Sequence, residues 1–176
     1  GRHAQFDSNP RFAIEYYKST LKTSPDNKAL LRRITTLLVS EGSVAEAQQY
    51  AKRLLKLSGE ESNVSRLVLA LADIKKQKYA KAMAQIEKLP EGGMNAFSVP
   101  MLKAWLLAGQ KKYDDALKIL DQKTKNKGLE ALFGIHGALI SELAGRDEDA
   151  KARYIKTAAL RKNANLRISI LFGNFY

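Results

Sequence analysis

Cysteine is absent from the 176 residues, which removes disulfides, thiolate metal sites and cysteine nucleophiles together. That absence suits either side of a bacterial inner membrane and selects no compartment. Histidine is nearly as scarce, with only His3 and His136. Four prolines and eleven glycines are too few for a linker-rich or collagen-like chain. No apolar run approaches the ~18 residues of a membrane span, and no basic-plus-apolar leader opens the chain. What is present is ordinary globular material. A composition of 45% hydrophobic and 27% charged residues excludes wholesale disorder, and the length suits one domain with a real core rather than two. The formal charge is +12. Residues 1–88 carry +7 of it and residues 89–176 carry +5, and so even a spread argues against a separate basic tail.

A period organises the chain. Ala13, Ala47, Ala82, Ala116 and Ala150 recur at intervals of 34, 35, 34 and 34 residues. Twelve positions before each stands a small residue or threonine: Gly1, Thr35, Ala70, Ala104 and Ala138. Pro10, Val44, Tyr79, Tyr113 and Asp147 lie three before, and Tyr17, Ala51, Ile86, Leu120 and Tyr154 four after. Small residues at such fixed offsets let two antiparallel helices approach closely where they cross. A helix pair of this kind leaves an apolar face that only the next pair covers, so stacking follows.

With this register the chain resembles the tetratricopeptide repeat family, bacterial type, over essentially its whole length. Ser24-Pro25-Asp26-Asn27 matches the family's repeat ending, and Lys111-Lys112-Tyr113-Asp114-Asp115-Ala116 its turn before the second helix. There are departures: Gly59 stands where the second repeat should end in proline, the third repeat is one residue long, and Trp105 is displaced from the family's tryptophan position. The resemblance implies an all-α, right-handed superhelical solenoid of antiparallel helix pairs, each a helix A followed by a helix B. Residues 1–176 are then a single array of about four complete repeats with a half-repeat at each end, the interior of a longer protein.

Local signals place the helices. Asn9 and Pro10 open one at 10–22 as N-cap and first-turn proline. Leu30, Leu31, Ile34, Leu37 and Leu38 mark 27–41, which Gly42 stops. Ser43 and Glu46 form a capping box for 44–58. Helices at 63–76 and 78–89 precede the break Pro90-Glu91-Gly92-Gly93. Pro100 belongs in a first turn, which makes Ser98 the cap of 99–109. Helices at 112–123, 129–144, 147–160 and 164–175 complete the pattern.

Catalysis requires converging titratable groups, and the sequence offers none. His136 has no acidic or histidine partner three or four residues away, as expected of a core or hydrogen-bonded surface histidine. Asp114-Asp115 and Asp147-Glu148-Asp149 open B helices, where carboxylates favour the helix dipole, and they lack calcium-loop spacing. Gly92-Gly93 has no following Gly-Lys-Ser/Thr of a phosphate loop. The expectation is a non-catalytic scaffold or adaptor, without cofactor or metal.

The resemblance assigns helix A to the concave face of the solenoid. The groove positions by register are Arg32, Thr36 and Val39, then Leu67, Leu71 and Ile74, then Met101, Trp105 and Ala108, and finally Ile135, Leu139 and Glu142. Some relatives grip a C-terminal carboxylate with Lys and Asn. The matching positions here hold Arg32, Thr36, Val68, Ser98 and Leu102, one of them cationic, so that clamp is not expected. The apolar stripe suits an amphipathic helix or leucine-rich segment of a protein partner. Alternatively, neighbouring or flanking helices cover it. A second surface is the basic edge of Lys75, Lys76, Lys78, Lys81, Lys111, Lys112 and Arg146, a module for an acidic protein, anionic lipid or nucleic acid. No stacking aromatics interleave these lysines, which disfavours nucleic acid. A third reading is self-association through the chain ends, using Leu166, Ile168, Ile170, Leu171, Phe172 and Phe175. Analogy with Gram-negative repeat proteins favours the periplasm over the cytoplasm.

Overall fold

The computed structural model describes residues 9–58, 62–90, 92–125 and 128–160. All regular elements among these are α-helices: α1 (Pro10–Thr23), α2 (Lys28–Ser40), α3 (Val44–Ser58), α4 (Asn63–Ile74), α5 (Tyr79–Ile86), α6 (Asn95–Gly109), α7 (Tyr113–Lys123), α8 (Glu130–Leu143) and α9 (Asp147–Ala159). The expected helix at 164–175, and with it the self-association face, lies outside the described residues, as do Gly1 and His3.

Two compact units divide the chain, Gly1–Pro90 and Glu91–Tyr176. The boundary falls in the Pro90–Gly93 break, whose Gly92 and Gly93 both have positive φ. In the first unit each helix packs on the one before it, and α2 also touches α4. The second unit repeats the scheme, with α6 touching α8 besides the sequential contacts. Within each unit helix A therefore meets the next helix A, and each helix B sits against its own A.

The alanine register is the packing register. Ala13, Ala47, Ala82, Ala116 and Ala150 are all buried, as are their partners Thr35, Ala70, Ala104 and Ala138. Larger side chains fill the space around these crossings: Leu31, Ile34, Leu38 and Leu54 in the first unit, and Leu120, Phe133 and Ile140 in the second. Thr35 satisfies its buried hydroxyl by donating to the Leu31 carbonyl at 2.7 Å.

Helix ends follow local chemistry. Asn9 accepts from the Phe12 N–H and Asn27 from the Leu30 N–H, both at 3.1 Å. The four A-to-B turns share one geometry, each with a left-handed residue: Gly42, Gln77, Lys111 and Gly145, at φ 75°, 56°, 61° and 70°. In each, the next residue's N–H reaches back to an A-helix carbonyl (Ser43 to Leu38, Lys78 to Asp73, Lys112 to Leu107, Arg146 to Ser141) at 2.8–2.9 Å, a Schellman closure.

Two expectations about caps are corrected. The Ser43 N–H is used in that closure, and the Glu46 carboxylate meets Lys18 Nζ at 2.7 Å, so the expected Ser43–Glu46 capping box gives way to a contact between B helices. Helix α6 begins at Asn95, a turn earlier than the sequence implied, with Pro100 inside it. The Asn95 and Ala96 N–H groups bond to Gly92 and Gly93 carbonyls, so a turn forms upstream of the proline. Ser98 is not a cap: its Oγ donates to the Met94 carbonyl at 2.9 Å.

Candidate functional site

Helices α6 and α8 are the A helices of the second unit, and they carry little charge. Lys103 is the only charged residue of α6, and Glu130 and Glu142 are the only ones of α8. A helix apolar around most of its circumference has apolar surface left over after one face packs on its partner. Helix α6 buries Ala104, Leu106 and Ala108, while α8 buries Phe133, Ala138 and Ile140. Met101 and Trp105, four residues apart, and Ile135 and Leu139, likewise four apart, remain half-buried. Residues at that spacing share a helix face. Leu143, one turn beyond Leu139, is exposed.

A hydrogen bond joins the two helices on this side. Trp105 Nε1–H donates to His136 Nδ1 at 3.1 Å, and the rings meet edge to face at 6.0 Å and 90°. Trp105 is thus neither free in solvent nor fully interior. Its ring packs beside the cluster of Ala104, Ala108, Leu120 and Phe133, and its polar edge is satisfied by the neighbouring helix. Nothing in the sequence marked this partner for His136, because the two residues are 31 apart and only helix rotation brings them together.

Two register positions fall elsewhere. Ala108 is buried in the core, because a small residue there admits the facing B helix. Glu142 is exposed but accepts from the Tyr154 phenol at 2.9 Å. Burial, and then that carboxylate, push the Tyr154 pKa well above its usual value.

In the first unit, α2 and α4 carry the corresponding positions. Arg32 and Thr36 are exposed and Val39 is half-buried. Thr36 Oγ1 is engaged with the Arg32 carbonyl at 3.0 Å. Leu67 and Ile74 are half-buried and Leu71 is exposed. This face is more polar than that of α6 and α8, since α2 alone carries Lys28, Arg32 and Arg33.

All seven residues of the expected basic edge are exposed. Lys75, Lys76, Lys78 and Lys81 lie at the α4–α5 turn, and Lys111 and Lys112 at the α6–α7 turn. Arg146 does not contribute a free charge, because its guanidinium lies 2.6 Å from Asp114 Oδ1. That pair lowers the Asp114 pKa through the hydrogen bond first and the charge second.

The acidic clusters have a role beyond the helix dipole. Arg153 forks onto Asp121 with distances of 2.6 and 3.0 Å, and its Nε donates to Asp149 at 2.9 Å. Asp121 lies seven residues after Asp114 and Arg153 seven after Arg146, so α7 and α9 are cross-linked twice on one side. Ser141 Oγ approaches Asp149 Oδ2 at 2.6 Å. Burial pushes the Asp149 carboxyl up, but the bonds from Ser141 and Arg153 outweigh it and hold the pKa below the usual range. In the first unit Lys18 joins Glu15 and Glu46 at 2.8 and 2.7 Å, linking α1 to α3. A depression of about 570 Å³ beside Asp114, Asp121, Arg146 and Arg153 is lined by these paired charges, which already satisfy each other.

No family model matches the sequence, and no curated protein does. Solved structures are similar in fold. A tetratricopeptide repeat protein from Parabacteroides merdae superposes with a TM-score of 0.78 at 18% identity, over 97% of this chain and 66% of its own. This chain therefore spans just under two thirds of that protein. PilW, a type IV pilus biogenesis factor, superposes at 0.74 with 15% identity, covering 99% and 80%. YrrB, described as having an unusual peptide-binding site, gives 0.61 at 13% identity, covering 93% and 83%.

Proposed function

We propose that this chain, a helical repeat of the tetratricopeptide type, is a non-catalytic scaffold that holds a protein partner in the concave groove lined by its A helices. One observation carries the reading: α6 and α8 retain half-buried Met101, Trp105, Ile135 and Leu139 on two helices that are almost free of charge. The Trp105–His136 bond occupies polar groups there, so recognition rests on apolar burial.

That chemistry selects the occupant. An extended peptide would bring backbone N–H and C=O groups against an apolar face and leave them unpaired, at about 1–3 kcal/mol for each one stranded. A helix has already paired its own backbone groups. The partner is therefore an amphipathic helix with aliphatic side chains at i, i+3 or i+4 and i+7. Leu67, Leu71 and Ile74 offer a smaller patch of the same kind on α4. The likeness to repeat proteins, one of them described by its peptide-binding site, supports a binding role.

Selection from a displayed peptide library tests this. Wild-type protein should enrich amphipathic helical sequences, and Leu139→Ser should bind them at least tenfold more weakly while its circular dichroism stays unchanged. Enrichment of extended or highly charged peptides, or equal binding by the variant, would refute the reading.

A further inference from the structure

Seven residues of the first unit, Lys75 to Lys81, contain four lysines and no carboxylate. Lys75, Lys76, Lys78 and Lys81 are all exposed, and none has an ion-pair or hydrogen-bond partner for its ammonium among the described residues. Their backbone is fixed. Gln77 is left-handed at φ 56°, its N–H bonds to the Ile74 carbonyl at 2.8 Å, and the Lys78 N–H bonds to the Asp73 carbonyl at 2.9 Å. The four charges therefore stand on a closed turn.

This turn differs from its equivalents. The α8–α9 turn has Arg146, but Asp114 neutralises it, and three carboxylates follow in the first turn of α9. The α6–α7 turn has Lys111 and Lys112, followed by Asp115 and by Asp114, which is paired with Arg146. The α2–α3 turn has Glu41 and Glu46, which meet Arg11 and Lys18. Of these turns, α4–α5 carries the largest positive excess, four lysines against one nearby carboxylate, Asp73 in the last turn of α4.

We propose that the α4–α5 turn is a contact surface for an anionic membrane leaflet. Its chemistry favours a charged plane over a shaped partner. All four cations are lysines, which act as hydrated point charges and lack the planar fork with which arginine reads a carboxylate or phosphate in fixed geometry. Single exposed lysine–carboxylate pairs with a folded protein bring little, because two long side chains must be held in register. A leaflet supplies many mobile anions and demands no register, and each lysine close to it raises partitioning about fivefold. Single-stranded nucleic acid would call for exposed rings to stack on bases, and Tyr79, the one aromatic residue of the segment, is half-buried. Ala80 is the one exposed apolar side chain between Lys75 and Lys81 and is too small to anchor in hydrocarbon, so the contact is peripheral and reversible.

Co-sedimentation of the full chain with vesicles tests the proposal. Vesicles of seven parts phosphatidylcholine to three parts phosphatidylserine should carry the protein down at low salt, and pure phosphatidylcholine should not. Raising sodium chloride to about 0.5 M should release it. The quadruple Lys→Gln variant at positions 75, 76, 78 and 81 should bind at least about 100-fold more weakly, and each pairwise variant (K75Q/K76Q, K78Q/K81Q) at least about tenfold. The quadruple Lys→Arg variant should bind as wild type does. The pairwise variants keep the test valid should the quadruple Gln variant lose its helical circular dichroism. No binding to the anionic vesicles, binding unchanged by the Gln substitutions, or tighter binding to polyglutamate or single-stranded oligonucleotide than to vesicles would each overturn it.

Discussion

Each repeat alanine occupies a crossing where one methyl group fills the space. Interiors at crystal-like density resist added volume, so Ala82→Leu should cost about 1–3 kcal/mol of stability. Ala80→Leu, on the exposed side of the same helix, should change it by less than about 0.5 kcal/mol. Urea unfolding of both variants checks the contrast. Asp149 yields a second residue-scale expectation. Its carboxyl lies below the ordinary 3.8, so the folded state favours the ionised form. The stabilisation is full above about pH 4 and fades as pH falls through the folded-state value. The stability difference between wild type and Asp149→Asn should therefore be constant near neutrality and narrow as pH falls below the ordinary carboxylate range. A difference that widened on acidification would contradict the assigned bonds. At this scale the alanines were legible because they are periodic, and a period can be counted. The Trp105–His136 and Arg153–Asp121 bonds were not, since each joins residues of different helices and depends on how those helices rotate. The seven-residue spacing shared by Asp114/Asp121 and Arg146/Arg153 was the available sign of the second.

Caps marked only some helix boundaries. Asn9 caps α1 as expected and Asn27 caps α2, α3 spans the expected residues, and α4 to α9 start without a side-chain cap bond. The misplaced start of α6 has a clear cause: proline in a helix interior forfeits a hydrogen bond, which makes a first-turn position the natural inference, yet Gly92 and Gly93 supply carbonyls that build a turn ahead of it. The A-to-B turns lead to a further prediction. Two of the four left-handed positions hold glycine, while Gln77 and Lys111 adopt the same conformation against the steric preference of an L-residue, which is about 1–2 kcal/mol. Gln77→Gly and Lys111→Gly should each stabilise the protein by about 0.5–1 kcal/mol after the greater flexibility of glycine in the unfolded chain is subtracted. Gly42→Ala and Gly145→Ala should destabilise it by a similar amount. The denaturation midpoints of the four variants give the signs directly. Sequence inspection overlooked the shared turn because its left-handed residue varies in type, and only the backbone makes the four equivalent.

For the molecule as a whole, the solenoid class followed from the period, and the helix-A-to-helix-A contacts within each unit match it. The division at Pro90–Gly93 was visible as a break in composition but not as a boundary between compact units, since a repeat period runs through it unaltered. The candidate binding face was legible in part. Met101, Trp105, Ile135 and Leu139 came from register alone, whereas Ala108 lay in the core and Glu142 on Tyr154. Register fixes the side of a helix but not how deeply each side chain sits. In the proposed function a partner helix binds the charge-poor groove side of α6 and α8. Chemical-shift mapping of the labelled protein, titrated with a selected amphipathic peptide, tests it most directly. The account predicts the largest changes at Met101, Trp105, Ile135 and Leu139, including the Trp105 indole N–H resonance, with α7 and α9 little affected. Changes confined to α7 and α9, with the Trp105 indole unmoved at saturation, would contradict it.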